Sequence, residues 1–383
     1  MRSIPLSSPD LTQEERDCVL EVLNGSELSL GPRLPAFEQA IADRTGARHA
    51  IAVNSGTSAL HLCVKAAGIG EGDEIITTPF SFVASANCAL FERAVPVFVD
   101  IDPDTWNIDV ARIEDAITPR TKAILPVHVF GRPCPMDPIL RIAARHGLKV
   151  IEDSCEAIGA TCNGKSAGTL GQSGTFAFYP NKQITTGEGG AIVTDDDEVA
   201  RLCRSWRNQG RGESGAWLQH ERLGYNYRLS EMNCALGLVQ LSRMDEILAM
   251  RALAASTYTT VLQDLVPDVI TPAPAAPGDT ISWFVYVVRL PDEFSMAARD
   301  SVVHDLRRRG VACNTYFSPI HLQPFYREMF GYKSGDFPIT EHIAGRTIAL
   351  PFFNRLTHQQ IEMVCGALAS AIRDSYARRM TAA

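Results

Sequence analysis

The 383-residue sequence has no apolar run near the ~18 residues that a membrane-spanning helix needs. Residues 1–6 lack the apolar segment of a signal peptide. Ten cysteines are present without a CxxC pair, and their scatter argues against both a zinc site and a disulfide framework. We therefore expect a protein of the reducing cytoplasm that contacts no membrane and holds no metal.

An excess of basic residues is also missing. The 44 acidic residues outnumber the 36 Lys and Arg, which gives a formal net charge of −8, whereas a nucleic-acid partner requires a basic surface. Residues 54–59, after the first predicted strand, lack a G-x-G-x-x-G pattern, which argues against a nicotinamide-dependent oxidoreductase. The hydrophobic content of 45% is ordinary for a globular enzyme with a substantial core.

Strand-like and helical patterns alternate from residue 48 to about residue 193. The β-rich runs are residues 49–53, 74–78, 95–99, 122–127, 148–152, 174–178 and 191–194. Helical patterns between them include residues 58–67, 82–91 and 136–146. Such alternation predicts an α/β domain around a mostly parallel sheet, whose ligands gather at the carboxyl ends of the strands.

The C-terminal part has a different pattern. A long helical segment at residues 230–262 precedes a proline-rich connector at residues 271–278. The remaining elements are an alternating strand at residues 283–290, a helix at 296–309 and a terminal helix after Thr357. We predict a large α/β domain at residues 1–250 and a smaller α+β domain at residues 251–383.

Lys182 is the most informative single residue. It lies between aromatic residues in 176–179 and the glycine-rich stretch 187–190. A lysine amine is nucleophilic only after it loses its proton, which apolar surroundings favour, and glycines admit a flat ligand closely. Asp153 ends the apolar run 149–153, and an amine paired with such an acid is used by enzymes of pyridoxal phosphate (PLP). A lone lysine beside glycines is more often an exposed loop residue.

Two other positions follow predicted strands. Gly56 and Thr57 open a helix after the first strand, where backbone N–H groups and a hydroxyl suit a phosphate. Ordinary helix capping explains such residues equally well. Phe82 follows the second strand, where it is able either to stack on a cofactor ring or to pack in the core.

The segment after the fifth strand holds three acids, Glu152, Asp153 and Glu156. If they are neighbours, they repel one another unless a cation lies nearby, and a protonated pyridine nitrogen is such a cation. Glu156 would then be placed to hydrogen-bond the 3-oxygen of the cofactor or the substrate.

Seven ordered motifs resemble the DegT/DnrJ/EryC1/StrS family of PLP-dependent sugar aminotransferases. They read SGTSAL, TPFSFVAS, VHVFG, EDSCEAIGA, FAFYPNKQITTGEGG, LGYNYRLSEM and HLQPFYRE. The resemblance runs from about Gly31 to the C-terminal helix without a large gap. It implies the aspartate-aminotransferase type of fold (fold type I) and a homodimer with two active sites at the subunit interface.

The resemblance also implies roles for individual residues. Those assigned to the cofactor are Lys182 as the Schiff-base lysine, Asp153 at the pyridine nitrogen, Phe82 on the ring, Glu156 at the 3-oxygen, Gly56 and Thr57 at the phosphate, and Asn226 at the phosphate from the other subunit. Those assigned to the substrate are Arg228, His321 and Glu188. A surface arginine and a helix-capping histidine are the ordinary alternatives for Arg228 and His321.

Two positions depart from the family pattern. Ala177 stands where a serine hydroxyl often touches the phosphate, so that this contact is missing or is supplied elsewhere. Glu156 stands where many members have Gln or His. A glutamate there resembles the perosamine-synthase-like branch, which aminates C4 of a nucleotide-linked 4-keto-6-deoxy sugar.

The resemblance implies a transfer of an amino group from an amino acid, with L-glutamate as the expected donor, to a nucleotide-linked keto sugar. The expected context is amino-sugar biosynthesis for a polysaccharide or an antibiotic. A C3-keto sugar or a keto-cyclitol remains an alternative acceptor. Related sugar dehydrases carry histidine at the lysine position, so Lys182 argues against them. A non-catalytic regulatory homologue would keep the fold without the chemistry.

Overall fold

The computed structural model describes residues 3–212 and 219–382. The α-helices in these ranges are α1 (Gln13–Asn24), α2 (Arg33–Thr45), α3 (Gly56–Ala66), α4 (Ala84–Phe91), α5 (Met136–His146), α6 (Asp197–Arg207), α7 (Glu231–Ser242), α8 (Met244–Leu265), α9 (Met296–Arg308), α10 (Pro324–Phe330), α11 (Pro338–Ala344) and α12 (His358–Ala382). The strands are β1 (His49–Val53), β2 (Glu74–Thr77), β3 (Val95–Phe98), β4 (Thr121–Ile124), β5 (Lys149–Asp153), β6 (Thr161–Cys162), β7 (Lys165–Ser166), β8 (Ser173–Ala177), β9 (Gly190–Thr194), β10 (Tyr286–Arg289) and β11 (Thr347–Leu350).

Seven strands of the described chain form one sheet in the order β1-β9-β8-β5-β4-β2-β3. Neighbours in the run β8-β5-β4-β2-β3 are parallel, and β9 is antiparallel to both β1 and β8. Helices α4 and α5 each cross between parallel neighbours, because parallel strands cannot be joined by a tight turn. The mostly parallel sheet predicted from the sequence is confirmed.

Residue 190 lies where three elements meet at one edge of the sheet. Gly190 begins β9 and is paired with both Val53 and Ala177, the last residues of β1 and β8. A Cβ atom at Gly190 would lie 2.5 Å from the carbonyl carbon of Ser55, so only glycine fits this approach. The carboxyl ends of β1 and β8 are thereby held beside that of β5, which ends at Asp153.

The predicted helix at residues 230–262 proves to be two helices, α7 and α8. Arg243 lies at the junction, with φ −95° and ψ 4°, and its guanidinium is ion-paired with Asp10 and Glu15 of the N-terminal segment. These long-range ion pairs, which periodicity cannot reveal, lie at the break between α7 and α8. Residues 82 and 83 likewise precede α4 instead of forming its first turn.

A second hydrophobic core surrounds the antiparallel pair β10–β11. Its buried members come from residues 254–372, together with Ile4, and include side chains of α8, α9 and α12. The predicted boundary after residue 250 falls inside α8, and the two-domain division stays a prediction. In the part of the chain described here, no helix is long and apolar enough to cross a membrane.

Candidate active site

A cavity of about 420 Å³ opens where β1, β5 and β8 end and α3 begins. It is lined by residues from separate parts of the chain, among them Gly56, Ser85, Asp153, Lys182 and Phe284. Its position agrees with the general rule that ligands of open α/β sheets bind beyond the carboxyl ends of the strands.

Lys182 enters this cavity from the loop between β8 and β9. Its backbone N–H donates to the carbonyl of Tyr179, 2.9 Å away. Its Nζ lies 3.6 Å from Glu156 Oε1 and 4.0 Å from the centre of the Phe284 ring, and only 13% of the side chain is exposed. The amine therefore faces a carboxyl on one side and an aromatic ring on the other.

Asp153, the last residue of β5, lies on the cavity wall and is 5% exposed. Its Oδ2 accepts a hydrogen bond of 2.7 Å from Ser85 Oγ, and its Oδ1 accepts one of 3.1 Å from the Cys155 N–H. A carboxylate has about four acceptor sites, so Asp153 retains capacity for a further donor in the cavity.

Glu156 is buried beside Lys182. Its Oε2 accepts a hydrogen bond of 2.9 Å from the N–H of Phe130, a residue in the left-handed conformation with φ 58°. Burial raises the pKa of the Glu156 carboxyl, although the Lys182 ammonium and the Phe130 N–H act in the opposite direction. The uncommon left-handed conformation of Phe130 thus occurs where its N–H holds the Glu156 carboxyl in the cavity.

Glu152 does not belong to this site, so the expectation of three repelling acids is wrong. Its carboxylate is fully buried and accepts hydrogen bonds from His128 Nε2 and from backbone N–H groups. The N–H donors are Gly168, Leu170 and Gly171. The physical reason is the alternation of side chains along β5, which sends adjacent residues to opposite faces of the sheet.

The N-terminus of α3 forms one end of the cavity. Ser55 is the N-cap, and its hydroxyl accepts from the Ser58 N–H at 3.1 Å. The N–H groups of Gly56 and Thr57, being in the first turn, have no partner within the helix. A Cβ atom at Gly56 would lie 2.7 Å from Ala177 Cβ, so glycine is required there, and the free N–H groups of the helix end suit an anion.

Phe82 and Glu188 also line the cavity. The Phe82 side chain is 62% exposed, which is unusual for a large aromatic residue and excludes the core-packing alternative. Glu188 is exposed in the glycine-rich loop beside Lys182. Seven of the ten residues assigned from the sequence therefore meet in one cavity: Gly56, Thr57, Phe82, Asp153, Glu156, Lys182 and Glu188.

The remaining three do not line this chain's own cavity. Asn226 is exposed and its backbone is paired with that of Asn208, whose Oδ1 accepts from Arg228 Nη1 at 3.1 Å. His321 is fully buried, with Nε2 3.1 Å from Glu341 Oε1, and burial lowers its pKa. The roles given to these residues stay predictions.

Sequence reasoning missed the aromatic side of the cavity, formed by Phe284, Tyr316 and Phe317. These residues lie more than 100 positions after Lys182, in segments that the sequence marks only as part of a smaller domain. Ser85 was also missed, although it belongs to the TPFSFVAS motif. Its hydroxyl at one end of a strand–helix turn was the available signal.

The groups around the cavity fit PLP in their chemistry. An amine suits its aldehyde, a buried carboxylate suits its pyridine nitrogen, and a helix N-terminus with a nearby hydroxyl suits its phosphate. Gly56, which packs too closely on Ala177 for a side chain, brings its backbone to the cavity wall. Among the described residues, no cluster of three or more His, Cys, Asp and Glu could hold a metal ion.

Comparison with known proteins agrees with this geometry. The model of the DegT/DnrJ/EryC1/StrS aminotransferase family matches residues 9–369. The chain is 43% identical over 366 residues to the GDP-perosamine synthase of Caulobacter vibrioides, covering 95% of this chain and 97% of that protein.

Solved structures give the same result. PseC of Helicobacter pylori, an aminotransferase involved in the biosynthesis of pseudoaminic acid, matches with a TM-score of 0.92 at 30% identity, covering 97% of this chain and 100% of that chain. DesV of S. venezuelae, solved in complex with a ketimine intermediate, matches with a TM-score of 0.89 at 34% identity, covering 97% and 98%.

Proposed function

Because the chain belongs to the DegT/DnrJ/EryC1/StrS aminotransferase family, we propose that it aminates C4 of a nucleotide-linked 4-keto-6-deoxy sugar. The family activity is PLP-dependent transfer of an amino group to a sugar, and the fold is the predicted fold type I. The amino donor in this proposal is an amino acid, with L-glutamate as the first to test. The observation that carries it is the convergence of Lys182, Asp153 and Glu156 on one cavity.

PLP, when bound, supplies an electron sink that stabilises negative charge on the carbon from which a proton is removed. Lys182 would hold its aldehyde carbon, and Asp153 would keep its pyridine nitrogen protonated. Ser85 fixes the Asp153 carboxylate by donating to Oδ2. Gly56 and Thr57 would receive the phosphate at the N-terminus of α3, and the exposed ring of Phe82 would cover the pyridine ring.

Once its amine is free, Lys182 acts as the general base and acid that moves a proton on the substrate. Glu156 Oε1 lies 3.6 Å from that amine, and the other carboxylate oxygen, Oε2, accepts a hydrogen bond from the Phe130 N–H. The Glu156 carboxyl therefore keeps the amine directed into the cavity. The rings of Phe284, Tyr316 and Phe317 exclude water from this part of the site.

The proposal includes a homodimer. Asn226 and Arg228 do not line the cavity of their own chain, and a second copy is the partner for which such residues would complete a site. In this arrangement Asn226 contacts the phosphate bound by the other subunit, while Arg228 contacts the anionic substrate. His321 is buried beside Glu341 and takes no further part in this proposal.

Two observations support C4 amination over the other positions. Glu156 occupies the position that resembles the perosamine-synthase-like branch, and its carboxyl lies inside the cavity. The relative from Caulobacter vibrioides is a GDP-perosamine synthase, which is the activity after which this branch is named.

The experiment is incubation of the holoenzyme and L-glutamate with a panel of nucleotide-linked 3-keto and 4-keto sugars and a keto-cyclitol. Location of the new amine by NMR is expected to show C4 amination of a 6-deoxy sugar. Amination only at C3, or only of the cyclitol, would exclude the proposed acceptor. Formation of a deoxygenated sugar without an amine would instead indicate a dehydrase.

Lys182→Ala tests the lysine directly. We expect at least a roughly thousandfold loss of amino transfer, because both the covalent anchor and the general base disappear. Borohydride should link the cofactor covalently to the wild-type protein, whereas in the variant the cofactor should remain removable. Wild-type turnover by Lys182→Ala would contradict the mechanism.

A further inference from the structure

A partly buried polar cluster lies outside the cavity and has no part in the chemistry above. It consists of His61, Lys65, Glu92, Tyr225 and Tyr227, and is called the His61 cluster below. His61 and Lys65 lie one turn apart on α3, Glu92 follows the last residue of α4, and the two tyrosines flank Asn226.

Glu92 is the hub of the cluster. Its Oε1 accepts from His61 Nε2 at 2.8 Å and from the Tyr225 hydroxyl at 3.3 Å, while Lys65 Nζ donates to Oε2 at 2.9 Å. Burial acts to raise the pKa of Glu92, but hydrogen bonds from Lys65 and His61 outweigh it and hold the pKa below its ordinary value. The hub is therefore a carboxylate that can only accept hydrogen bonds.

The acceptor at Glu92 fixes the direction of the neighbouring hydrogen bonds. Burial lowers the pKa of His61 despite the opposing effect of Glu92, so the ring is neutral at neutral pH. Its single proton must lie on Nε2, which faces the Glu92 carboxylate, and Nδ1 is left as an acceptor. The Tyr227 hydroxyl, 3.1 Å from Nδ1, is then the donor.

The cluster holds Tyr225 and Tyr227 by their rings as well as by their hydroxyls. The two rings stack at 4.9 Å with an interplanar angle of 10°, and the His61 ring packs edge-on against Tyr225 at 4.8 Å. The Lys65 ammonium lies 5.7 Å from the centre of the Tyr225 ring. Both tyrosine side chains are thereby directed inward.

The backbone of the same segment is fixed on both sides. The Tyr227 N–H donates to the Arg207 carbonyl at 3.0 Å, and the Tyr227 carbonyl accepts from the Asn54 N–H at 2.9 Å. In a segment paired in this way, alternate side chains point in opposite directions. With Tyr225 and Tyr227 inward, the side chain of Asn226 is turned outward, and Asn226 is exposed.

We propose that the His61 cluster is a positioning device that presents Asn226 to the phosphate in the active site of a second copy. The inference rests on the proposed function, since it assumes the dimer in which Asn226 reaches the partner's cofactor. What the inference adds to the proposed function is the set of residues that fix the orientation of Asn226 for this contact. Helix α3 then serves two sites, because its N-terminus lines its own cavity and its His61 and Lys65 anchor the residue offered to the other.

A double-mutant cycle on cofactor affinity tests the proposal. Apoprotein of the wild type, Tyr227→Phe, Asn226→Ala and the double variant is titrated with PLP at equilibrium. We expect each single variant to bind PLP roughly tenfold more weakly, the usual effect of one hydrogen bond to a charged group. The double variant should bind no more weakly than Asn226→Ala, because Tyr227 acts through Asn226.

Tyr258→Phe is the matched control. It removes a buried hydroxyl that donates to the Pro351 carbonyl in the second core, so it should lower the thermal midpoint without changing the PLP dissociation constant. Glu92→Gln is a second probe of the cluster, and we expect the same loss of affinity and the same dependence on Asn226.

Multiplicative losses in the double variant would overturn the proposal, because they would show that Tyr227 acts independently of Asn226. Unchanged affinity in Tyr227→Phe and Glu92→Gln, or in Asn226→Ala, would also overturn it. Amino transfer by the wild type is measured in parallel. If that transfer fails for every keto sugar while the cycle behaves as expected, the proposed function is wrong and the positioning role stands.

Discussion

The two faces of β5 carry adjacent carboxylates with opposite environments. Glu152 is fully buried, and its four hydrogen-bond donors are three backbone N–H groups and His128 Nε2. Asp153 is 5% exposed and, within the described residues, receives two hydrogen bonds, from Ser85 and from the backbone of Cys155. A carboxylate accepts about four hydrogen bonds, so Glu152 is saturated by the protein whereas Asp153 is left for a ligand.

The surroundings of Glu152 explain why it is structural. The Cys134 N–H donates to His128 Nδ1 at 2.9 Å, so the ring proton lies on Nε2 and is donated to Glu152. The carboxylate also ties the turn at residues 168–171 to β5 through its three backbone donors. Removal of either type of partner would leave buried polar groups unpaired. Burial alone thus does not separate a structural acid from a functional one, but unused hydrogen-bonding capacity does.

Asp153→Asn should have the largest effect and should act on activity alone. The amide keeps the shape and the contact with Ser85, but it cannot hold a pyridine nitrogen protonated. We expect roughly a thousandfold lower kcat, about 4 kcal/mol, with a thermal midpoint close to that of the wild type. Steady-state kinetics measure kcat, and thermal unfolding measures the midpoint. The control is Asp245→Asn, whose carboxylate is 84% exposed. A stable variant with wild-type kcat would show that Asp153 has no such role.

Glu152→Gln should have the converse effect, a loss of stability with little change in activity. Its NH₂ group would face backbone donors, and we expect about 3 kcal/mol of lost stability, because a buried donor would be left opposite another donor. Activity per folded molecule should change little. Chemical denaturation of the apoprotein measures the loss, with Glu71→Gln as the control because that carboxylate is 71% exposed. An unchanged unfolding midpoint in Glu152→Gln would contradict the structural role of Glu152 and its contrast with Asp153.

The sequence contained part of this distinction. Strand alternation alone places Glu152 and Asp153 on opposite faces of the sheet, so the sequence carries the signal that separates these two acids. Lys182, Gly56, Thr57 and Phe82 were predictable because they follow strand ends or belong to long motifs. Phe284, Tyr316 and Phe317 were not, because their approach depends on how the second core packs on the sheet. The antiparallel direction of β9 was not predictable either, because the sequence pattern of a strand does not indicate its direction in the sheet.

Glu156 extends the comparison to a third acid, one whose pKa burial raises above the ordinary 4.5. In the pH interval between 4.5 and the raised value, the folded protein binds more protons than the unfolded chain. Stability from this group therefore falls as pH rises through that interval. We expect apoprotein of Glu156→Gln to lose this dependence, so that its free energy of unfolding relative to that of the wild type increases with pH across this interval. A constant difference between the two proteins across that interval would contradict the raised pKa.

Ala177→Ser should have the smallest effect and concerns the position where the family often has a serine. Ala177 lines the cavity beside Gly56, so an added hydroxyl would face the end of the site assigned to the phosphate. One new hydrogen bond to a charged group should tighten PLP binding by about three- to tenfold, offset in part by the ordering of the hydroxyl. Equilibrium titration of the apoprotein measures the change. Ala191→Ser is the control, because Ala191 is fully buried on the neighbouring strand and its hydroxyl would lower stability without reaching the cavity. Weaker binding in Ala177→Ser would mean that the phosphate does not lie near Ala177, and that the N-terminus of α3 holds it in another position.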